Sequence, residues 1–81
     1  MFIQTEFEIY NLNAFKTIYT SAYTQEGEKD QYLLVGDPLE GETEVFGVYV
    51  SADEALNALK KLGRDIKEGK DISIIIPKEE K

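Results

Sequence analysis

Residues 45–77 read as a strand, a capped helix and a second strand, and this unit limits what the rest of the chain can be. Thr43 to Val50 is rich in β-branched and aromatic residues and stops at Ser51-Ala-Asp-Glu54. That tetrapeptide is a capping box: the Ser51 hydroxyl can accept from the Glu54 backbone N–H while the Glu54 side chain reaches back to the N–H of Ser51. Asp53 and Glu54 also set negative charge at the positive end of the helix dipole.

Ala55, Leu59, Leu62 and Ile66 then recur on one helical face, with Ala52, Leu56 and Gly63 widening the stripe. A glycine inside a helix costs roughly 1 kcal/mol against Ala, so Gly63 hints at close packing of the helix backbone on a sheet, although a tolerated surface glycine has the same signature. Gly69 is placed to end the helix in a left-handed cap. Asp71 to Pro77 reads as an Ile-rich strand closed by proline. A strand, a helix of about five turns and a strand form a right-handed crossover that sets the last strand parallel to residues 45–50; the alternative is antiparallel pairing with another strand.

Upstream, Phe2 to Tyr10 alternates as a half-buried strand, Ile3, Phe7 and Ile9 opposing Gln4, Glu6 and Glu8. Asn11 to Asn13 supplies a turn. Ala14 to Thr24 is a long strand with Phe15, Tyr19 and Tyr23 on one face and Ala14, Ile18 and Ala22 on the other. Gln25 to Asp30 is a polar hairpin loop with Gly27 at its tip, Gln31 to Gly36 a short strand, and Asp37 to Glu42 the next turn. The expectation is an α+β domain over residues 1–77, ordered ββββαβ, with a mostly antiparallel curled sheet and one amphipathic helix on one face. Residues 78–81 are expected to form a charged tail.

Strands lie about 4.8 Å apart, so a five-stranded sheet is roughly 20 Å wide, whereas a helix covers only about 10–12 Å. Yet the later strands are apolar on both faces: Tyr32 and Leu34 oppose Leu33 and Val35, Val45 and Tyr49 oppose Phe46, Val48 and Val50, and Ile75 joins Ile72, Ile74 and Ile76. Either the sheet curls over its own interior, or a second copy packs on the exposed face, or both.

Of 81 residues, 16 are Asp or Glu and 9 Lys or Arg, a net charge of −7. Seven of the acids fall between Glu26 and Glu44, against the single base Lys29, and the simplest picture is one acidic face built from the two loops. That argues against direct nucleic-acid binding, which needs a basic footprint. The chain has no cysteine, histidine or tryptophan, so thiolate metal sites, disulfides and the usual nucleophile–base pairs are absent. The first residues lack the basic and apolar regions of a signal peptide, and no run approaches the roughly 20 apolar residues of a membrane span, so a cytoplasmic location is expected.

No catalytic, cofactor or metal residues are assigned. Asp37, Glu40, Glu42 and Glu44 could converge on a hard cation, but their spacing matches no calcium loop, and acidic loops are ordinarily solvated. Tyrosines keep a wet hydroxyl on a buried ring, which suits both recognition and the core boundary. Tyr32, Tyr49, Ile75, Asp37, Glu40, Glu42 and Glu44 are the candidate partner contacts.

Phe15-Lys-Thr-Ile-Tyr19, Tyr32-Leu-Leu-Val35, Val48-Tyr-Val-Ser-Ala-Asp-Glu-Ala55 and Ile74-Ile-Ile-Pro77 together resemble small uncharacterised bacterial and phage-associated proteins, in which a strand meander precedes a short helix and a closing strand. The resemblance implies that fold and no activity. Two functions are expected from the residues themselves. One is a non-enzymatic interaction module that associates with itself as a dimer or holds a protein partner; the other is an acidic mimic of nucleic acid that occupies a basic groove on a DNA-binding or DNA-cutting enzyme.

Overall fold

A computed structural model describes residues 1–76; Pro77 and the expected tail 78–81 lie outside the described residues. The fold is α+β. Strands β1 (Phe2–Gln4) and β2 (Ile9–Asn11) lead through a 3-10 turn (Leu12–Ala14) to β3 (Phe15–Tyr23), β4 (Gln31–Pro38) and β5 (Glu44–Tyr49), then to helix α1 (Ala52–Lys67) and β6 (Ile72–Ile74). Among the described residues the strands form two sheets of three, ordered β2-β1-β6 and β3-β4-β5. All pairings are antiparallel except β1 with β6.

This division narrows the sheet that the helix has to cover. A three-stranded sheet measures only about 10 Å between its outer strands, so one helix suffices for one face. The terminal strand is parallel, but to β1 rather than to residues 45–50, and it lies in the other sheet. The single expected strand over Phe2 to Tyr10 is a hairpin. The Thr5 hydroxyl accepts from the N–H groups of Phe7 and Glu8 at 3.3 and 3.1 Å, and the Thr5 N–H donates to the Glu8 carbonyl, which folds the chain back on itself. Phe7, expected on the inner face, is consequently 86% exposed at the turn.

Two β-bulges change which residues share a face. Phe15 pairs Pro38 and Thr17 pairs Asp37, so Lys16 is an extra residue in β3. Phe15 and Ile18 therefore point together to the core, and Tyr19 points away, contrary to the alternation over Ala14 to Thr24. In β5, Gly47 pairs Leu34 and Val45 pairs Val35, making Phe46 the extra residue. Phe46 and Tyr49 are thus buried on one face while Val45 and Val48 lie on the other. Strand β4 also runs two residues beyond the expected Gly36.

The expected helix start is present: the Ser51 hydroxyl accepts from the Glu54 N–H at 3.2 Å. The C-terminus closes as a Schellman motif, with Gly69 at φ +73°, its N–H donating to the Ile66 carbonyl and the Lys70 N–H to that of Asp65. Ala55 and Leu62 are buried with Ile3, Leu34, Phe46, Tyr49 and Ile75 in one core, flanked by Ala58 and Leu59. Leu56 and Ile66 are exposed, so the buried stripe is rotated toward Ala58 and Asp65. A Cβ at Gly63 would meet nothing within 4 Å, so this glycine marks an open surface and not a close helix–sheet approach. At Gly36 a Cβ would come within 2.7 Å of the Phe46 ring, because Phe15 and Phe46, edge-to-face with each other and with Tyr10, lie against the glycine.

Candidate functional site

Helix α1 and β1 share their core with one face of the β3-β4-β5 sheet, the face carrying Ile18, Tyr32, Leu34, Phe46 and Tyr49. The register sets the opposite face. Tyr19, Val35 and Val45 form one cross-strand row, and Ser21, Leu33 and Val48 the next. Val45 and Val48 are 48% and 42% exposed and Tyr19 is 37% exposed, while Val35 between them is buried at 4% and Leu33 is half-buried, so the exposed apolar atoms of this face lie along its two outer strands. The row above holds Thr17 and Asp37, whose carboxylate accepts from the hydroxyls of Tyr19 at 3.3 Å and Thr43 at 2.8 Å. Burial, then the charge of Asp37 and the hydrogen bond to it, push the Tyr19 phenol up from its ordinary pKa.

The candidate contacts named from sequence do not form one site. Tyr49 and Ile75, at 3% and 2% exposure, belong to the core. Tyr32 is half-buried on the helix-facing side, opposite Tyr49. Asp37 lies at the edge of the outer apolar face. Glu44 accepts from the Tyr10 hydroxyl at 3.3 Å, and burial of Tyr10, with the nearby charges of Glu8 and Glu44, pushes that phenol up to about 12. Glu40 and Glu42 stand exposed in the turn after β4. That turn and the acidic 25–30 loop flank opposite ends of β4, about 25 Å apart at roughly 3.3 Å per residue, so the two loops do not merge into one acidic face. Among the described residues no three carboxylates gather into a metal-sized cluster.

The most concentrated polar cluster was invisible to periodicity. Asp65, 3% exposed on the buried side of α1, accepts from the Ser73 hydroxyl at 2.7 Å and pairs with Lys61 at 2.9 Å and Lys70 at 3.2 Å. Lys61 also donates to the Ile74 carbonyl at 3.2 Å. The hydrogen bond from Lys61, then that from Ser73, holds the Asp65 carboxyl well below the usual carboxylate range against the opposing effect of burial, and Asp65 in turn raises the Lys70 pKa. A Ser, a Lys and an Asp in contact are a nucleophile's ingredients, but Ser73 is 1% exposed and no substrate atom can reach it. The cluster's work is to fasten the end of the helix to β6. It also accounts for β6: Ser73 and Ile75 face inward, whereas Ile72, Ile74 and Ile76 are 40%, 46% and 75% exposed. The i,i+4 spacing of Lys61 and Asp65 along α1 is the signal the sequence offers for this cluster.

Among the described residues, no helix is long and apolar enough to cross a membrane. No protein-family model, curated protein or solved structure matches the chain.

Proposed function

We propose that the protein is a non-enzymatic interaction module that associates with a second copy of itself through the outer face of the β3-β4-β5 sheet. The observation that carries this reading is the pair of cross-strand rows Tyr19-Val35-Val45 and Ser21-Leu33-Val48, in which Tyr19, Val45 and Val48 stand exposed to water on a face that no other element covers among the described residues. The choice of partner follows from charge. In a chain of net charge −7, two copies repel unless they meet on neutral ground, and these six positions carry no charge. Asp37, at the border, is already engaged by two hydroxyls. An isologous contact of this kind closes as a dimer.

Sedimentation equilibrium over a range of protein and salt concentrations tests the reading. The expected result is a dimer that survives high salt, because burial of apolar surface is not screened, and a folded monomer for Val48→Glu. A wild-type monomer at every concentration refutes it, as does a Val48→Glu dimer. The nucleic-acid mimic draws less support, since its acidic loops are held at opposite ends of β4. Its mark is capture of a basic partner that fades steeply with salt.

A further inference from the structure

Short strands, bulges, charges and prolines ordinarily keep the edge of a sheet from taking another strand. The outer strands of the two sheets differ in this respect. β2 and β6 offer three residues each, and β5 is broken by its bulge at Phe46. Strand β3 has its bulge only at Lys16, and from Thr17 to Tyr23 it runs on without a charge, a glycine or a proline. One side of β3 is bonded to β4; among the described residues no backbone group meets the other side between Thr17 and Tyr23.

A groove of about 560 Å³ opens beside this edge, with Leu59, Gly63 and Ile66 of α1 on one wall and Phe15, Lys16 and Ile18 on the other. Ile66 is 44% exposed, and the missing side chain of Gly63 leaves the helical wall open. A strand added to β3 would lie about 4.8 Å beyond it, so its inward side chains would enter the groove. The rim is basic although the chain is acidic. Lys16 lines the groove, and Lys60 and Lys67, three and four residues from Gly63, stand on the same side of α1. All three are exposed, and among the described residues none enters an ion pair.

We propose that the free edge of β3 takes up an extended, acidic segment of another protein as a fourth strand, with apolar residues turned into the groove and carboxylates toward Lys16, Lys60 and Lys67. The unpaired backbone selects an extended chain, the groove selects apolar side chains at every second position, and the rim selects the charge. A second copy of this chain fits less well, because its own Thr17 to Tyr23 brings no carboxylate to the rim. The edge is separate from the sheet face proposed for self-association.

The test is an amide NMR titration of the full chain with the peptide Ac-EVEIEVE-NH2 and with its charge-reversed counterpart, Ac-KVKIKVK-NH2. The acidic peptide is expected to shift the Ile18 and Ile66 signals saturably and to slow hydrogen exchange at every second amide from Thr17 to Tyr23, the mark of an added strand. The basic peptide is expected to bind more weakly. Lys16→Gln with Lys67→Gln removes two exposed ion pairs and should weaken the acidic peptide roughly 2- to 30-fold. Gly63→Leu fills the groove and should abolish binding. The proposal is overturned if the acidic peptide leaves those amides unchanged, if the basic peptide binds as tightly, or if binding survives Gly63→Leu. It is overturned too if the free protein gains the same alternating protection as its concentration rises, since a second copy would then hold the edge. Val48→Glu should leave the titration unaltered, so failure here and failure of the self-association reading are separable.

Discussion

Gly63→Ala should stabilise the protein by about 1 kcal/mol, and the structure supplies each part of that figure. Residue 63 lies inside α1, where glycine is roughly 1 kcal/mol worse than alanine because its backbone has more freedom to lose. An added Cβ meets nothing within 4 Å, so no clash offsets the gain and no packing enlarges it. In a domain of this size that corresponds to a rise in Tm of about 4–8 °C. Urea and thermal unfolding followed by circular dichroism would read it, with an unchanged urea slope showing that the effect is on stability. Gly36→Ala is the counterpart. There the Cβ would stand 2.7 Å from Phe46 and 2.9 Å from Phe15, and overpacking of this kind costs about 1–3 kcal/mol. A neutral or destabilising Gly63→Ala would refute the reasoning, because it would require another surface to press on that side of the helix.

Two further outcomes follow from the core and the buried carboxylate. Leu62→Ala should cost about 2–5 kcal/mol in urea unfolding, and Leu56→Ala on the exposed side far less; comparable losses would mean that α1 is turned on its axis. Because the folded pKa of Asp65 is depressed, its contribution is fully present above the ordinary Asp value of 3.8 and is lost as pH falls below it. Asp65→Asn should therefore flatten the fall in urea midpoint between about pH 4 and pH 2, and an acid slope identical to the wild type would remove Asp65 from that account.

Local signals in the sequence were sound wherever the structure they specify is local. Ser51 and Gly69 cap α1 from within a turn of its ends, and Gly27, at φ +81°, sits in the 25–30 loop as its position in the hairpin implies. The face of each strand was less legible, because strict alternation assumes an unbroken ladder. One extra residue at Lys16 and one at Phe46 reverse the phase, so Tyr19 and Val45 reach the outer surface and Tyr49 leaves it. Gly47 beside Phe46 was the one hint of a bulge. Hydrophobicity also misleads over β6: Ile72, Ile74 and Ile76 share one apolar face and Ile75 the other, but the buried face is that of Ser73 and Ile75, because Asp65 supplies the serine's partner. The candidate site suffered most, since Tyr49 and Ile75 are apolar residues of the core, and the outer face consists of ordinary strand formers that no motif distinguishes.

The parallel pairing of Ile3 with Ser73 joins residues 70 positions apart, at nearly the greatest separation this chain allows. During synthesis, β1 and β2 can form their hairpin and β3 to β5 their meander as each emerges, since those contacts are local. The middle strand of the other sheet must wait with one edge open until the final strand has been made. Ile3, fully buried in the finished protein, then gains its Ile75 neighbour last. Closing so long a loop is entropically slow, so the step that completes the domain is the meeting of its first and last strands. Helix α1 shortens the search by delivering β6 on a rigid arm, and Asp65 fastens it on arrival.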